Sequence, residues 1–342
     1  MSPGGRKGAA GSGGFEPRPY RSAWWLPGAH AQTIAGRLLR RPAPPQLTRE
    51  RLELADGDFV DLDFAPAPRA GAPAVLLLHG LEGSARRGYA LITYAALARR
   101  GLRAVGMNFR SCSGEPNRTA RLYHSGETDD LRHVLAHLRV RLGAPAAGAI
   151  GFSLGGNVLL KYLGEEGEAA PVRAAVAVSV PYDLAAGVRA LERSFMGRFY
   201  TRIFVKSLVA KALAKSDLIA DRCDLERVRA ARSFWDFDDA ATAPLHGFRD
   251  AGDYYERSSS ARFLARIRVP TLLLHARDDP FLPEHAVPFA AIRANPRITA
   301  AITRRGGHVG FLGGRPWAPT FWAEEEAARF LAGVLDAPAP PR

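Results

Sequence analysis

The stretch Gly151-Phe152-Ser153-Leu154-Gly155-Gly156 decides the fold. It follows the apolar run Gly148-Ala149-Ile150 and leads into Asn157-Val158-Leu159-Leu160-Lys161-Tyr162, which reads as a helix. G-x-S-x-G at a strand-to-helix junction is a nucleophile elbow. The serine stands on a sharp, strained turn. A Cβ two residues before or after it would collide with the turn, so both positions take Gly. The turn lifts the hydroxyl out of the sheet. It also points the first helical N–H groups at the place where negative charge develops during acyl transfer. A covalent hydrolase follows if a base and an orienting acid lie downstream.

Working outward, Ala74-Val75-Leu76-Leu77-Leu78 is a continuous apolar run, as expected of a strand buried on both faces. Upstream, residues 51–64 alternate polar and apolar around Asp56-Gly57, a β-hairpin signature. Downstream come a helix over 89–100, a strand over 102–108, a helix over 127–142, and the elbow strand and its helix over 149–165. A strand over 174–180, a strand over 271–275, a helix over 284–292, a strand over 298–303 and a helix over 320–335 follow. This alternation predicts an α/β fold, a mostly parallel sheet with helices on both faces and an antiparallel N-terminal hairpin. The alternation breaks over 181–270, which is helical and irregular. It is expected to form a lid at the C-terminal strand edge, where ligands bind in such sheets. The expected organisation is a disordered Gly-rich tail over 1–21, one domain over 22–336 and a flexible tail over 337–342. Trp24-Trp25 require either burial or a role as an interaction surface.

Ser153 needs a base, and the base needs an acid, in the chain order Ser, Asp, His. His308 lies in Arg305-Gly306-Gly307-His308-Val309-Gly310, a Gly-rich loop after the last strand, and is the expected base. The acid lies in Arg277-Asp278-Asp279-Pro280-Phe281-Leu282-Pro283. Asp279, in an Asp-Pro step followed by two apolar residues, is the expected acid. Asp278 is the alternative, and Asp183 ranks below both. The oxyanion hole is expected to use the Leu154 amide and the Leu81 amide, the latter from the loop His79-Gly80-Leu81-Glu82-Gly83-Ser84. His79 then orders that loop. No His, Asp or Cys cluster has metal-ligand spacing, and no metal or other cofactor is expected.

The chain is 47% hydrophobic with a formal net charge of +13, enough apolar residue for a substantial core. Its basic residues are mostly Arg, scattered and without aromatic interleaving, so nucleic acid is not an expected partner. Cys112 and Cys223 make no redox or disulfide framework, and the N-terminus carries no hydrophobic signal. A cytoplasmic location and at most weak peripheral membrane contact are expected. In the lid segment 198–215, Arg198, Arg202 and Lys206 share a face while Lys211 and Lys215 fall opposite, which favours a packed lid helix over a membrane-facing one.

The chain resembles the YheT-type α/β-hydrolases, bacterial relatives of the eukaryotic ABHD1/ABHD2/ABHD3 group, over roughly 15–335. The resemblance rests on Trp25-Leu26-Pro27-Gly28 with Gln32-Thr33, Asp56-Gly57-Asp58-Phe59, the 79–84 loop and Asn108-Phe109-Arg110-Ser111-Cys112-Ser113-Gly114-Glu115. It continues through Tyr123-His124-Ser125-Gly126-Glu127-Thr128, the elbow with Asn157, Phe237-Asp238-Asp239, Thr242-Ala243-Pro244, Gly247-Phe248, Tyr254-Tyr255, and the Asp279 and His308 segments. Ser111 departs from the pattern, where relatives more often carry Gly. The resemblance implies a serine carboxylic ester hydrolase on small-molecule acyl esters of short to medium chain. A lipid-specific hydrolase or acyltransferase with the same triad is the alternative, and a non-catalytic binding protein the rival from another class. Arg110 is expected to fix its loop by pairing with Glu115, Glu127 or Asp129. Asp238, Thr242, Tyr254 and Tyr255 are expected to anchor the lid.

Overall fold

In the computed structural model, which describes residues 14–43 and 45–335, eight strands form one sheet in the order β1-β2-β4-β3-β5-β6-β7-β8. The strands are β1 (Thr48–Glu53), β2 (Phe59–Phe64), β3 (Ala74–Leu78), β4 (Arg103–Asn108), β5 (Gly148–Phe152), β6 (Ala174–Val178), β7 (Thr271–Ala276) and β8 (Ile298–Thr303). β1 and β2 are antiparallel, turning at Gly57 with φ 79, and β2 is antiparallel to β4. Every pairing from β4 to β8 is parallel. The chain crosses from β4 back over β3 to β5, with Leu78 opposite Gly151. That reversal is the topological switch point, where the strand ends open a crevice. The strand bearing the 79–84 loop and the strand bearing the elbow are therefore neighbours on either side of it.

Helices cover both faces: α1 (Ala29–Leu39), α2 (Gly88–Ala98), α3 (Asp129–Leu142) and α4 (Leu154–Glu166), with a last helix over Trp322–Leu335. One apolar cluster includes Leu76, Leu78, Val105, Leu135, Val158 and Leu273, and the other Leu77, Leu97, Ile150, Val176, Leu272 and Phe330. The alternation of Leu76 and Leu78 against Leu77 shows why β3 reads as an unbroken apolar run: both faces are core.

Three local features differ from the sequence expectation. The helix expected over 284–292 is a short turn at Glu284–Ala286 and a short helix at Phe289–Ala294, split by Pro288, which has no amide to donate. A hairpin, Leu312–Arg315 with Ala318–Phe321, precedes the last helix, and its Gly and Pro content hid it. The expected tail over 1–21 is docked over part of its described length. Phe15 packs edge-on to Phe330, Arg18 N–H donates to Glu326, and the Tyr20 hydroxyl donates to Leu312 O. Residues 1–13 and 337–342 lie outside the described residues. Of the paired tryptophans, Trp25 Nε1 donates to Gly314 O and Trp24 is exposed.

Arg110 is tied differently from the expectation. Its guanidinium forks onto Asp130 with two 2.7 Å bonds and reaches Asp56 at 2.7 Å and Asp58 at 2.8 Å. Glu115 pairs instead with Arg51. Asp130 is the inward-facing member of the first turn of α3, whereas Asp129 is exposed and pairs with Arg132. Arg110 Nη2, Asp58 and Asp130 are all buried. Arg110→Met would strand the buried Asp130 carboxylate, while Asp58 keeps donors from Phe59, Asn117, Arg118 and Thr119, so we expect a loss of about 3–5 kcal/mol in urea unfolding. Ser111, beside Arg110, takes φ 60, a left-handed conformation that favours Gly, and its hydroxyl bonds Asn117 to hold the turn.

Between β6 and β7 the insert forms α5 (Leu184–Arg193), α6 (Phe195–Leu213) and short helices down to Ser258. They enclose a satellite core of Leu184, Val188, Tyr200, Val205, Phe237 and Tyr255. Tyr254 joins this layer to the body, its hydroxyl accepting from Ser125 N–H at 3.0 Å. Asp238 instead works inside the layer, accepting from Thr242 at 2.5 Å and Tyr255 at 2.6 Å. Burial pushes the Asp238 carboxyl from 3.8 up to about 6, against the pull of these two donors. Between those pH values the folded chain holds a proton that the unfolded chain has released. The Asp238 contribution to stability therefore falls as pH rises through that window, by about 3 kcal/mol. Paired urea unfolding should show wild type losing stability relative to Asp238→Asn between about pH 4 and 6, against the opposite slope that both chains share from buried histidines such as His79.

Candidate active site

The elbow geometry comes directly from its glycines. Ser153 has φ 51 and ψ −118, a strained conformation for a residue with a Cβ. A Cβ on Gly151 would lie 2.4 Å from Gly155 O, and one on Gly155 would lie 2.5 Å from His79 O and 2.6 Å from Leu78 O. Gly155 thus lets α4 pack against the end of β3, and this contact brings the 79–84 loop to Ser153. At Gly80 a Cβ would stand 3.2 Å from Ser153 Cβ.

His308 Nε2 lies 2.9 Å from Ser153 Oγ, and His308 Nδ1 lies 2.8 Å from Asp279 Oδ2. Asp279 is fully buried at its side chain and His308 nearly so. Asp279 Oδ1 accepts from Phe281 N–H at 2.9 Å, which turns the other oxygen toward the imidazole. The Phe281 ring stacks on His308, 4.3 Å between centroids. With Nδ1–H donating to the carboxylate, Nε2 is the acceptor for the serine hydroxyl, the tautomer a general base requires.

Asp278 has a different place. Its Oδ1 accepts from Gly307 N–H at 2.9 Å. The next two amides are held as firmly: His308 N–H donates to Thr33 Oγ1 at 2.9 Å and Val309 N–H to Ser179 Oγ at 3.0 Å. Val309 and Ser179 are both in left-handed conformations, φ 52 and 51. For a β-branched Val this is a true outlier, kept only because its neighbours over-determine it. Gln32 adds a two-way bond to the Leu312 backbone. Thr33, Gln32 and Ser179 carried no signal of this role in the sequence, since Thr33 and His308 are 275 positions apart. Asp183 caps α5, accepting from Ala186 N–H at 2.9 Å.

In the 79–84 loop, His79 is fully buried. Its Nδ1–H donates to Gly80 O at 2.7 Å and its Nε2 accepts from Phe109 N–H at 3.1 Å. Burial pushes its pKa down to about 4, so the ring stays neutral and both nitrogens are occupied in holding the loop. Tyr89 OH accepts from Gly80 N–H, and Tyr123 OH accepts from Glu82 N–H. Glu82, at φ 52, turns its carboxylate to Tyr123, Ser207 and Lys211, which ties the loop to α6. Among the described residues neither the Leu81 nor the Leu154 amide donates to a protein acceptor.

Among the described residues, folding does assemble one group of metal-binding type, His124, Glu127 and His246. Two of its members, His124 and Glu127, are engaged in hydrogen bonds, while His246 Nε2 is buried without a partner. His124 Nδ1 accepts from Gly126 N–H at 3.1 Å, so the ring proton sits on Nε2. Glu127 Oε2 accepts from Arg121 at 2.6 Å, and Glu127 Oε1 from the Asp129 and Asp130 amides. No helix among the described residues is long and apolar enough to cross a membrane.

Comparison with known proteins agrees with this architecture. Residues 73–314 match the family described as alpha/beta hydrolase fold. The chain is 41% identical over 312 residues to YheT of Escherichia coli (strain K12), an esterase by assignment, covering 90% of this chain and 91% of that protein. It is 32% identical over 303 residues to phospholipase ABHD3 of Mus musculus, covering 86% and 74%. Among solved structures, an esterase of Pyrococcus furiosus shares the fold with a TM-score of 0.55 at 16% identity, covering 85% of this chain and 92% of that one. An eight-stranded sheet with a glycine-framed serine at its switch point, matched over nine-tenths of the chain by YheT, leads to one conclusion: this protein is a member of the α/β-hydrolase family, of the YheT type.

Proposed function

We propose that this α/β-hydrolase is a serine carboxylic ester hydrolase that works through an acyl-enzyme on Ser153, with short- to medium-chain acyl esters as substrates. The unbroken hydrogen-bond chain from Asp279 through His308 to Ser153, at 2.8 and 2.9 Å, carries this reading. Ser153 Oγ attacks the ester carbonyl carbon while His308 Nε2 takes its proton. The tetrahedral oxyanion lies against the Leu81 and Leu154 amides, whose N–H groups have no acceptor among the described residues to give up. Collapse expels the alcohol, which takes the proton from His308. Water, deprotonated by the same nitrogen, then attacks the acyl-Ser153 and releases the acid. Asp279 holds the ring in the productive tautomer. These steps need no cofactor.

A second reading, a lipid ester as substrate, is favoured by the phospholipase among the relatives. A fluorophosphonate probe should label the wild-type chain at Ser153 and leave Ser153→Ala unlabelled. Labelling of the variant, or none of well-folded wild type, would reject the mechanism. A p-nitrophenyl ester chain-length series separates the two substrate readings, since an optimum at short chains excludes the lipid one.

A further inference from the structure

The outer face of α6 exposes large apolar side chains beside cations. Phe195, Phe199 and Ile203 are 77%, 50% and 46% exposed. They stand at i, i+4 and i+8, so they form one stripe along the helix. Arg198, Arg202 and Lys206, all exposed, lie on the same outward arc. Arg198 donates to the Glu192 carbonyl, and none of the three forms an ion pair with a described residue. No Asp or Glu occurs between Glu192 and Asp217. By helical spacing Lys211 and Lys215 fall on the opposite side from these three. The structure shows why they do. Lys211 pairs with Glu82 at 2.7 Å, and buried Lys215 bonds Asn117 at 2.8 Å. These two lysines bind the helix inward and leave the other three cations beside the apolar stripe.

We infer that this face of α6 docks on an anionic phospholipid surface. Apolar and aromatic side chains flanked by unpaired Lys and Arg are what an interfacial helix presents to headgroups and the acyl boundary. A second copy of the chain fits less well. In a two-fold contact the stripe would meet itself, placing like charges in apposition with no acid to offset them, on a chain of net charge +13. A single helix also gives no groove to track a nucleic-acid backbone. The inner side of the same helix leads to the site. Tyr200 and Phe204 lie 4.8 and 6.3 Å, centroid to centroid, from Phe281, which stacks on His308. A docked bilayer would stand about one helix diameter, roughly 10 Å, from the base. The inference deepens the lipid-ester reading by naming where such an ester is met.

The test is flotation of the full chain with phosphatidylcholine vesicles, with and without phosphatidylglycerol. It is run on the Ser153→Ala chain as well, so that binding is read independently of catalysis. Both chains should float with the anionic vesicles, less so as salt rises, and not with the neutral ones. The triple variant Arg198→Ala/Arg202→Ala/Lys206→Ala should lower the partition coefficient by at least tenfold and up to roughly a hundredfold. Phe195→Ser/Phe199→Ser should lower it comparably, with melting curves showing both variants folded. Four results would overturn the inference. They are no flotation of wild type, binding indifferent to lipid charge, full binding by the triple variant, and self-association or single-stranded DNA binding lost in these variants without any vesicle binding.

Discussion

Ser153→Ala is expected to lower kcat/KM for p-nitrophenyl butyrate by about 10⁶-fold, the scale seen when a serine nucleophile is removed from a competent triad. The fold should survive. Alanine keeps the Cβ, so the strain at φ 51 is unchanged, and only the bond to His308 Nε2 is lost. A melting temperature near that of wild type, with rates near the uncatalysed background, is the combined outcome. Residual turnover above one part in a hundred would place the nucleophile elsewhere.

The second large effect separates two adjacent carboxylates. Asp279→Asn removes the acceptor for His308 Nδ1–H and offers an amide that favours the wrong tautomer. A loss of about 10⁴-fold in kcat is expected with little change in KM. Asp278→Asn should cost less than about tenfold, because an Asn oxygen can still accept from Gly307 N–H and only the placement of the loop is at risk. Steady-state kinetics on the two variants, side by side, decide the assignment. The reverse order would make Asp278 the acid, and equal losses would reject Asp279 as the sole orienting acid.

Much of this architecture was legible in the chain. The apolar runs at 74–78 and 174–178 are strands because both faces of each are core, and their composition says so. The elbow was readable because its glycines answer to contacts within a few residues and one neighbouring strand. Arg110 was not readable: three nearby acids, Glu115, Glu127 and Asp129, qualified by position, and only the packing of α3 determined that Asp130 faces inward instead. The hairpin at 312–321 was hidden by Gly and Pro, which weaken local strand propensity but are tolerated in a two-stranded edge. Thr33 and Ser179 act on the His308 loop through contacts that no sequence period encodes.

α6 divides along the same line. Its charges and apolar residues are plain in the sequence, yet their pattern alone argued against an outward basic face, because helical spacing cannot say which lysines are consumed by partners. Glu82 and Asn117 supply that answer from loops more than ninety positions away. Local residues alone, through steric demand and hydrophobic period, determined the fold class, the order of strands and helices and the strained serine. The Asp-Pro step pointed to Asp279, and tertiary packing alone decided where Asp278 goes, what holds the histidine's backbone, and which face of the lid helix meets solvent, since each depends on partners that only folding brings within hydrogen-bond distance.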